Sequence, residues 1–287
     1  MIKQLLTESH DQFTKGELKI VRELLDSYPT AALGTVASLA ARAHVSAPTV
    51  VRFAIKLGFE GFADFQKAVM EELSDSMRSP LSMIDQRKSA IAGDSPFSRY
   101  LESVSEAMAV STQGSLNMDL TRAVEMLSNR RKRIQCLGGR FSRHLAAILQ
   151  IHLHQLHGKA TLLSNERAEL FDGLVDVGAQ DILVVFDYRR YQTDIVEFCK
   201  QAKERKAQII LFTDPYRSPI AAIADIVITT AVEVLSPYDT MTPALAVTEA
   251  LVAGLTGKLA DSSRERLAQL ETFRDRNRIT LADKSDN

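Results

Sequence analysis

Hydrophobic and polar positions near the start of the chain alternate with the period of two short amphipathic helices. Residues 36–43 and 50–57 repeat the i, i+3, i+4, i+7 spacing of helices that bury one face, with apolar positions Val36, Leu39, Ala40, Ala43, then Val50, Phe53, Ala54 and Leu57. Ser46 can N-cap the second helix, and Pro48 falls in its first turn, where a missing N–H costs nothing. In the turn between them, His44 is the residue that we expect to have a positive φ. The pattern predicts a helix-turn-helix.

The polar face of the second predicted helix carries a short basic stripe. The stretch from Val36 to Phe59 contains two Arg, one Lys and no Asp or Glu, within a chain whose net charge is -1. Attraction to phosphate needs only a local positive patch, so this stretch predicts DNA binding through the second helix. The alternative is an ordinary helical hairpin with a solvated polar face. The predicted DNA contacts are Ser46, Pro48, Thr49, Arg52 and Lys56.

From residue 131 onward, short β-branched apolar runs alternate with amphipathic helices. Strands that alternate with helices at this spacing predict a parallel sheet covered on both faces by right-handed crossovers. The predicted strands are 133–137, 160–163, 181–186, 208–212 and 226–229, and the helices between them are 142–157, 193–205 and 218–224. Two separate helices are predicted to follow, at 242–258 and 263–278, and the first is apolar enough for burial against the sheet or a second subunit.

Length and composition place the chain among globular proteins of two domains. The chain has 287 residues, of which 45% are hydrophobic and 25% are charged. It has no signal peptide pattern, no apolar run of the roughly 20 residues that span a bilayer, and no paired spacing of its two cysteines, so we expect a cytoplasmic protein without membrane contact. The predicted fold class is α/β, with an all-α helix-turn-helix domain before a doubly wound five-stranded parallel sheet. The predicted segments are a helix-turn-helix domain at 1–78, a linker and connecting helix at 79–118, the sheet domain at 119–260, and a C-terminal helix and tail at 261–287.

Two loops at the carboxyl ends of predicted strands hold most of the candidate chemistry. In an open α/β sheet, ligands bind at those ends near the switch in strand order. The first loop has glycines that permit close backbone approach, and the loops together offer four guanidinium groups, which suit a phosphate or a carboxylate. The alternative for the arginines is ion pairing, for instance with Asp187 or Asp194, and for Glu233 a plain loop. The predicted effector site is Gly139, Arg140, Ser142, Arg143, Asp187, Arg189, Arg190, Thr193 and Glu233.

The sequence predicts neither a metal nor a cofactor. His152, His154 and His157 lie on one predicted helix, where positions two apart face different sides, so at most His154 and His157 can converge. Packing in a core or an interface is therefore the favoured interpretation of these histidines. The chain also lacks a nucleophile elbow, a phosphate-binding Gly-Lys-Ser/Thr loop and a nicotinamide fingerprint.

Three motifs resemble the RpiR family of bacterial transcriptional regulators. They are TVVRFAIKLGFEGFADF at 49–65, GGRFS at 138–142 and DPYRSPIAAIADIVI at 214–228, the last similar to a segment of sugar isomerase (SIS) domains. The resemblance spans about 18–259. It implies an N-terminal DNA-binding domain, a C-terminal domain that senses a metabolite, usually a phosphorylated sugar, and dimers or tetramers assembled through the sheet domain.

The second loop departs from the family pattern. SIS domains usually carry S-x-S-G-x-T after the third strand, whereas this chain has FDYRRYQT and only Thr193 matches. Three alternatives stay open: the arginines hold a different acidic metabolite, they hold phosphate by salt bridges, or side chains fill the site and the domain is purely structural.

These observations predict a homo-oligomeric transcriptional regulator whose partners are a double-stranded DNA operator and a small acidic metabolite. One alternative is a sugar-phosphate isomerase with an accessory helical domain, in which Glu233 would carry a proton. Another is a DNA-binding dimer that responds to no effector.

Overall fold

The computed structural model describes residues 2, 5–6, 13–26, 30–76, 83–84 and 95–279. The chain divides into two compact units, Met1–Gln86 and Arg87–Asn287, and each is described by itself. Residues 79–82 and 85–94 of the segment predicted as linker and connecting helix, and residues 280–287 of the predicted C-terminal helix and tail, lie outside the described residues. No helix of the described part is both long and apolar enough to cross a membrane.

The first unit is helical around one apolar core. Its helices are α1 (Lys15–Asp26), α2 (Thr30–Leu33), α3 (Val36–Arg42), α4 (Ala47–Lys56) and α5 (Phe62–Ser76). The predicted apolar faces of α3 and α4 are confirmed, because Leu39, Val50 and Phe53 are buried together with Phe65 of α5. His44, in the turn between α3 and α4, has a φ of 52°, as predicted.

The second unit is a parallel five-stranded sheet with helices on both faces. Its helices are α6 (Pro96–Ser111), α7 (Leu116–Leu127), α8 (Arg143–Leu156), α9 (Arg167–Asp172), α10 (Thr193–Glu204) and α11 (Thr242–Arg276). Its strands are β1 (Arg133–Gly138), β2 (Ala160–Leu162), β3 (Asp181–Phe186), β4 (Gln208–Thr213) and β5 (Ile226–Thr229), in the order β2-β1-β3-β4-β5. All five predicted strands are therefore confirmed.

The central strand β3 shows why both faces of the sheet are covered. All six of its residues are buried. Ile182, Val184 and Phe186 belong to the core on the side of α7, α8 and α11, whereas Leu183 and Val185 belong to the core on the side of α10. This alternation follows from the twofold period of a strand, and it accounts for the nearly continuous apolar run in the sequence.

The strand order reverses between β1 and β3. The chain leaves β1 toward β2 on one side and returns to β3 on the other, and β1 pairs with β3 in parallel from Arg133 and Asp181 to Gly138 and Phe186. Such a reversal opens a crevice at the carboxyl ends of the two strands. The loops 139–142 and 187–192 therefore lie side by side.

Two helix predictions are corrected. The helices predicted at 242–258 and 263–278 are one continuous helix, α11. The polar residues between them do not break it, because Ser263 is fully buried and its Oγ donates to the Leu156 carbonyl at 2.8 Å. The helix predicted at 218–224 is only a single 3-10 turn, Pro219–Ala222, whose Ile220 N–H donates to Ser218 Oγ at 3.2 Å.

Candidate functional site

The exposed face of α4 presents the residues that the sequence predicts for DNA contact. Ser46, Pro48 and Arg52 are exposed, and Thr49 is half-buried. Among the described residues, Arg52 has no hydrogen-bond or ion-pair partner. Ser46 occupies the N-cap position, but its side chain caps no backbone N–H. Its Oγ lies 2.7 Å from Thr49 Oγ1 instead, since the Thr49 N–H already donates to the Ser46 carbonyl at 2.9 Å.

Two of the three cations in this region pair with carboxylates of α1. Arg42 of α3 forms an ion pair with Glu23, and Lys56 Nζ of α4 lies 2.8 Å from Glu17 Oε2. The positive charge counted along 36–59 is therefore offset by acidic residues that lie outside that stretch. The sequence gives no short-range signal of these pairs, because Glu17 and Lys56 are 39 residues apart.

The glycine loop after β1 is held tightly against the end of β3. The buried Ser142 Oγ donates to the Phe186 carbonyl at 2.6 Å and accepts from the Gly139 N–H at 2.9 Å. A Cβ at Gly138 would lie 2.6 Å from the Arg143 nitrogen, so the backbone tolerates no side chain there. Ser142 thus joins the two strand ends, and its hydroxyl is already engaged.

Gln192 connects the glycine loop to the loop after β3. Its Oε1 accepts from the Arg140 N–H at 2.6 Å, and a Cβ at Gly139 would lie only 2.7 Å from that oxygen. Gln192 is also the residue that precedes α10. No motif in the sequence marks Gln192 as a site residue, and its position directly before Thr193 is the one available signal.

The acidic residues at the ends of β3 and β4 are turned inward. Asp187 is buried and accepts from Ser218 Oγ at 2.5 Å, and burial raises its pKa to about 7. Asp214, which the sequence analysis did not single out, is also buried, and burial raises its pKa as well. Asp214 Oδ1 accepts from Tyr191 Oη at 2.9 Å and from the Tyr216 N–H at 2.8 Å. The carboxyl group of Asp187, a predicted effector-site residue, therefore faces Ser218.

The guanidinium group of Arg189 is buried and paired with two carboxylates of the same chain. Its side chain is 3% exposed, its Nε donates to Asp239 Oδ2 at 3.1 Å, and its Nη1 donates to Glu233 Oε1 at 3.1 Å. Burial lowers the pKa of Arg189, but the two carboxylates outweigh that effect and raise it above its ordinary value. Tyr216 Oη donates to the same Glu233 oxygen at 2.7 Å. Arg189 therefore forms ion pairs, as the alternative for the arginines has it, although its partners are Asp239 and Glu233 rather than Asp187 or Asp194.

Three guanidinium groups remain exposed at the same edge of the sheet. They belong to Arg140, Arg143 and Arg190, and none of them makes a hydrogen bond or ion pair with another described residue. The backbone N–H of Arg140, which donates to Gln192 Oε1, joins the loop 139–142 to the loop 187–192. Thr193 is exposed where α10 begins. Of the predicted effector site, these four residues and Glu233 are exposed, and Glu233 is the one whose charge is already paired.

The three histidines of α8 and its end do not converge. His157 is buried, with Nε2 at 3.1 Å from the Asn129 carbonyl, and burial lowers its pKa. His154 is exposed beside Arg266. Within the described ranges, no group of three His, Cys, Asp or Glu side chains could hold a metal ion.

Comparisons with known proteins agree with both units. Residues 1–76 match the family model described as "Helix-turn-helix domain, rpiR family", and residues 126–254 match that of the SIS domain. The chain belongs to the RpiR family. The predicted resemblance and the predicted fold class are thereby confirmed, and this RpiR protein is a transcriptional regulator that joins a helix-turn-helix domain to a SIS domain.

Curated relatives match this chain over most of their own length. The RpiR chain is 26% identical over 230 residues to an uncharacterized HTH-type transcriptional regulator of Thermotoga maritima, covering 79% of this chain and 80% of that one. It is 24% identical over 267 residues to the HTH-type transcriptional regulator HexR of Pseudomonas aeruginosa, covering 86% of each. The solved structure of Vibrio vulnificus NanR, complexed with ManNAc-6P, has the same fold, with a TM-score of 0.51, 16% identity and coverage of 96% of this chain and 98% of that one.

Proposed function

We propose that this RpiR regulator binds an operator through α4 and that an acidic metabolite, bound at the crevice between β1 and β3, changes the operator affinity. The observation that carries the proposal is the set of exposed guanidinium groups at that crevice, Arg140, Arg143 and Arg190. Three like charges, on two adjoining loops and the first residue of α8, repel one another, and an acidic ligand would relieve that repulsion.

The DNA side of the proposal rests on the exposed face of α4. Arg52 would contact phosphate or a base edge, while Ser46, Pro48 and Thr49 line the start of the helix. A cytoplasmic homo-oligomer would place two copies of α4 in successive major grooves of a pseudo-palindromic operator. We keep 1–78 and 119–260 as the proposed limits of the DNA-binding and sensing parts, with 79–118 between them and 261–287 after them.

The acidic nature of the effector rests on the chemistry of the loops. The hydroxyl of Ser142 already donates to the Phe186 carbonyl, and Arg189, in the loop after β3, is paired with carboxylates. This described part of the chain therefore has no cradle of small hydroxyl groups for a ligand. Guanidinium groups that bind bidentately would take its place, and they suit a carboxylate as well as a phosphate. That NanR was solved with ManNAc-6P makes phosphorylated sugars one class to test, with sugar acids and other small carboxylates beside them.

The test is the melting temperature of the full chain with inorganic phosphate, phosphorylated sugars, sugar acids and small carboxylates. A ligand at 100 times its Kd stabilises the folded state by about 2.7 kcal/mol, so binding raises the melting temperature. We expect Arg140→Gln and Arg190→Gln to lose the shift. Arg131→Gln, an exposed arginine that precedes β1, should keep it.

Two results would contradict this function. No shift with any acid would leave a DNA-binding protein that responds to no effector. Turnover of a phosphorylated sugar would instead establish an isomerase. Glu233 is poorly placed to carry a proton there, because it accepts from both Arg189 and Tyr216.

A further inference from the structure

The ion pair between Lys56 and Glu17 attaches the end of α4 to α1. Glu17 is a well-ordered partner, because it forms a reciprocal capping box with Thr14: the Thr14 N–H donates to Glu17 Oε2 at 2.7 Å, and the Glu17 N–H donates to Thr14 Oγ1 at 3.4 Å. The same Oε2 accepts from Lys56 Nζ at 2.8 Å. Burial raises the pKa of Glu17, but the hydrogen bonds from Lys56 and Thr14 outweigh it and lower the pKa, so the carboxylate stays charged at neutral pH.

Lys56 has a second attachment at the same place. Its Nζ lies 5.6 Å from the centroid of the Phe13 ring, within the range of a cation-π contact. The Phe13 ring also packs against Phe53 of α4, with centroids 5.4 Å apart. An aromatic pair and an ion pair thus join the start of α1 to the second half of α4.

A phosphate would compete poorly for Lys56. The Glu17 side chain is only 13% exposed, whereas that of Lys56 is 38% exposed. If Lys56 moved to DNA, it would leave a largely buried carboxylate with a single backbone donor, and an uncompensated buried charge is costly. Arg52, one turn earlier on α4, is exposed and has no such partner among the described residues, so a phosphate contact there breaks nothing.

We propose that Lys56 is not a DNA contact but a positioning residue, and that with Glu17 it fixes the angle at which α4 enters the groove. The proposal rests on DNA binding through α4, as set out under the proposed function. It replaces the direct DNA contact that the sequence predicts for Lys56. In this arrangement the pair contributes to sequence selectivity, which needs a fixed helix, and not to the attraction of phosphate.

The test is the salt dependence of DNA binding by the full chain, measured by fluorescence anisotropy on two short duplexes. One duplex has a random sequence, and the other is an operator recovered with the wild-type chain from a random library. Each lost phosphate contact lowers the slope of log K against log salt by about 0.9. Arg52→Gln should lower the slope by about 0.9 for each copy of α4 that is bound to the duplex. The control is Lys67→Met, which removes a well-exposed lysine of the same unit. We expect Lys56→Met, which keeps the alkyl stem, to have the same slope as this control. Glu17→Gln should have that slope as well.

Selectivity separates positioning from a merely structural role. At a temperature well below melting, we expect Lys56→Met and Glu17→Gln each to reduce the operator preference about fivefold, and the double variant to lose no more than either one. Lys56→Arg, which can keep the ion pair, should retain most of the preference and covers the case in which Lys56→Met fails to fold.

Three outcomes would overturn the proposal. A slope reduced by Lys56→Met as much as by Arg52→Gln would make Lys56 a phosphate contact. Tighter binding of Glu17→Gln to the random duplex, with a steeper slope, would show that Glu17 withholds Lys56 from DNA. An unchanged operator preference in both variants would leave the pair a purely structural role. If the wild-type chain binds neither duplex, the proposed DNA-binding function fails as well, which distinguishes that failure from the other three.

Discussion

Asp187 lies where burial makes the charged form of a carboxyl group unfavourable. Its carboxyl group is 2% exposed, and its near neighbours include the buried Asp214. Ser218 Oγ donates to it, yet burial still raises its pKa to about 7. The loop after β3 therefore contains a buried acid whose pKa lies close to neutral pH.

This raised pKa predicts a pH-dependent stability. The unfolded chain releases the Asp187 proton near the ordinary pKa of 3.8, whereas in the folded chain the pKa is about 7. The folded state binds more protons between these values, so the free energy of unfolding falls as the pH rises through them, by up to about 4 kcal/mol, and levels off above. Urea unfolding of Asp187→Asn should show a flatter pH dependence than the wild type. Asp172→Asn, at an exposed position, should match the wild type, and equal slopes for all three would contradict the raised pKa.

Single residues were predictable where the backbone or a short spacing decided them. The positive φ of His44 followed from the two-helix spacing, and Pro48 does lie in the first turn of α4. The partners of Arg189 and Lys56 were not predictable, because they lie 39 to 50 residues away along the chain and belong to other elements. Charge counted within a local stretch therefore leaves out the carboxylates that pair with Arg42 and Lys56.

At the scale of elements, the apolar pattern was sufficient for the sheet but not for α11. Strand positions of a doubly wound sheet are buried on both faces, so each strand reads as a short apolar run. Residues 259–262 lie between the two predicted helices, yet Arg130 donates to the Ser262 carbonyl at 2.7 Å and Ser263 Oγ donates to the Leu156 carbonyl at the end of α8. Contacts with other elements, which no local pattern records, keep the helix continuous.

The two halves of α11 should respond differently to truncated side chains. Leu255 is fully buried in the core beneath α8, whereas Phe273 is 61% exposed. Leu255→Ala should lower the free energy of unfolding by about 2 to 5 kcal/mol, because it removes buried methyl groups and leaves a cavity. Phe273→Ala should change it by no more than about 0.5 kcal/mol. Chemical unfolding measures both, and a loss at Phe273 as large as that at Leu255 would show that the outer half of α11 is buried in the protein in solution.

At the scale of the molecule, this RpiR protein joins a helix-turn-helix unit to a unit that has three exposed arginines at a sheet edge. For the second to regulate the first, the effector must bind more tightly to one state of the protein than to the other. Coupling between sites is usually about 1 to 3 kcal/mol, which corresponds to a change of about 5-fold to 150-fold in affinity. By linkage, the operator must change the affinity for the effector by the same factor.

The most direct test of the central claim is the operator affinity of the full chain with and without a saturating acid that raises its melting temperature. We predict a change of at least about fivefold in the wild-type chain, lost in Arg140→Gln and kept in Arg131→Gln. An operator affinity that stays the same while the acid is bound would contradict regulation through the crevice between β1 and β3.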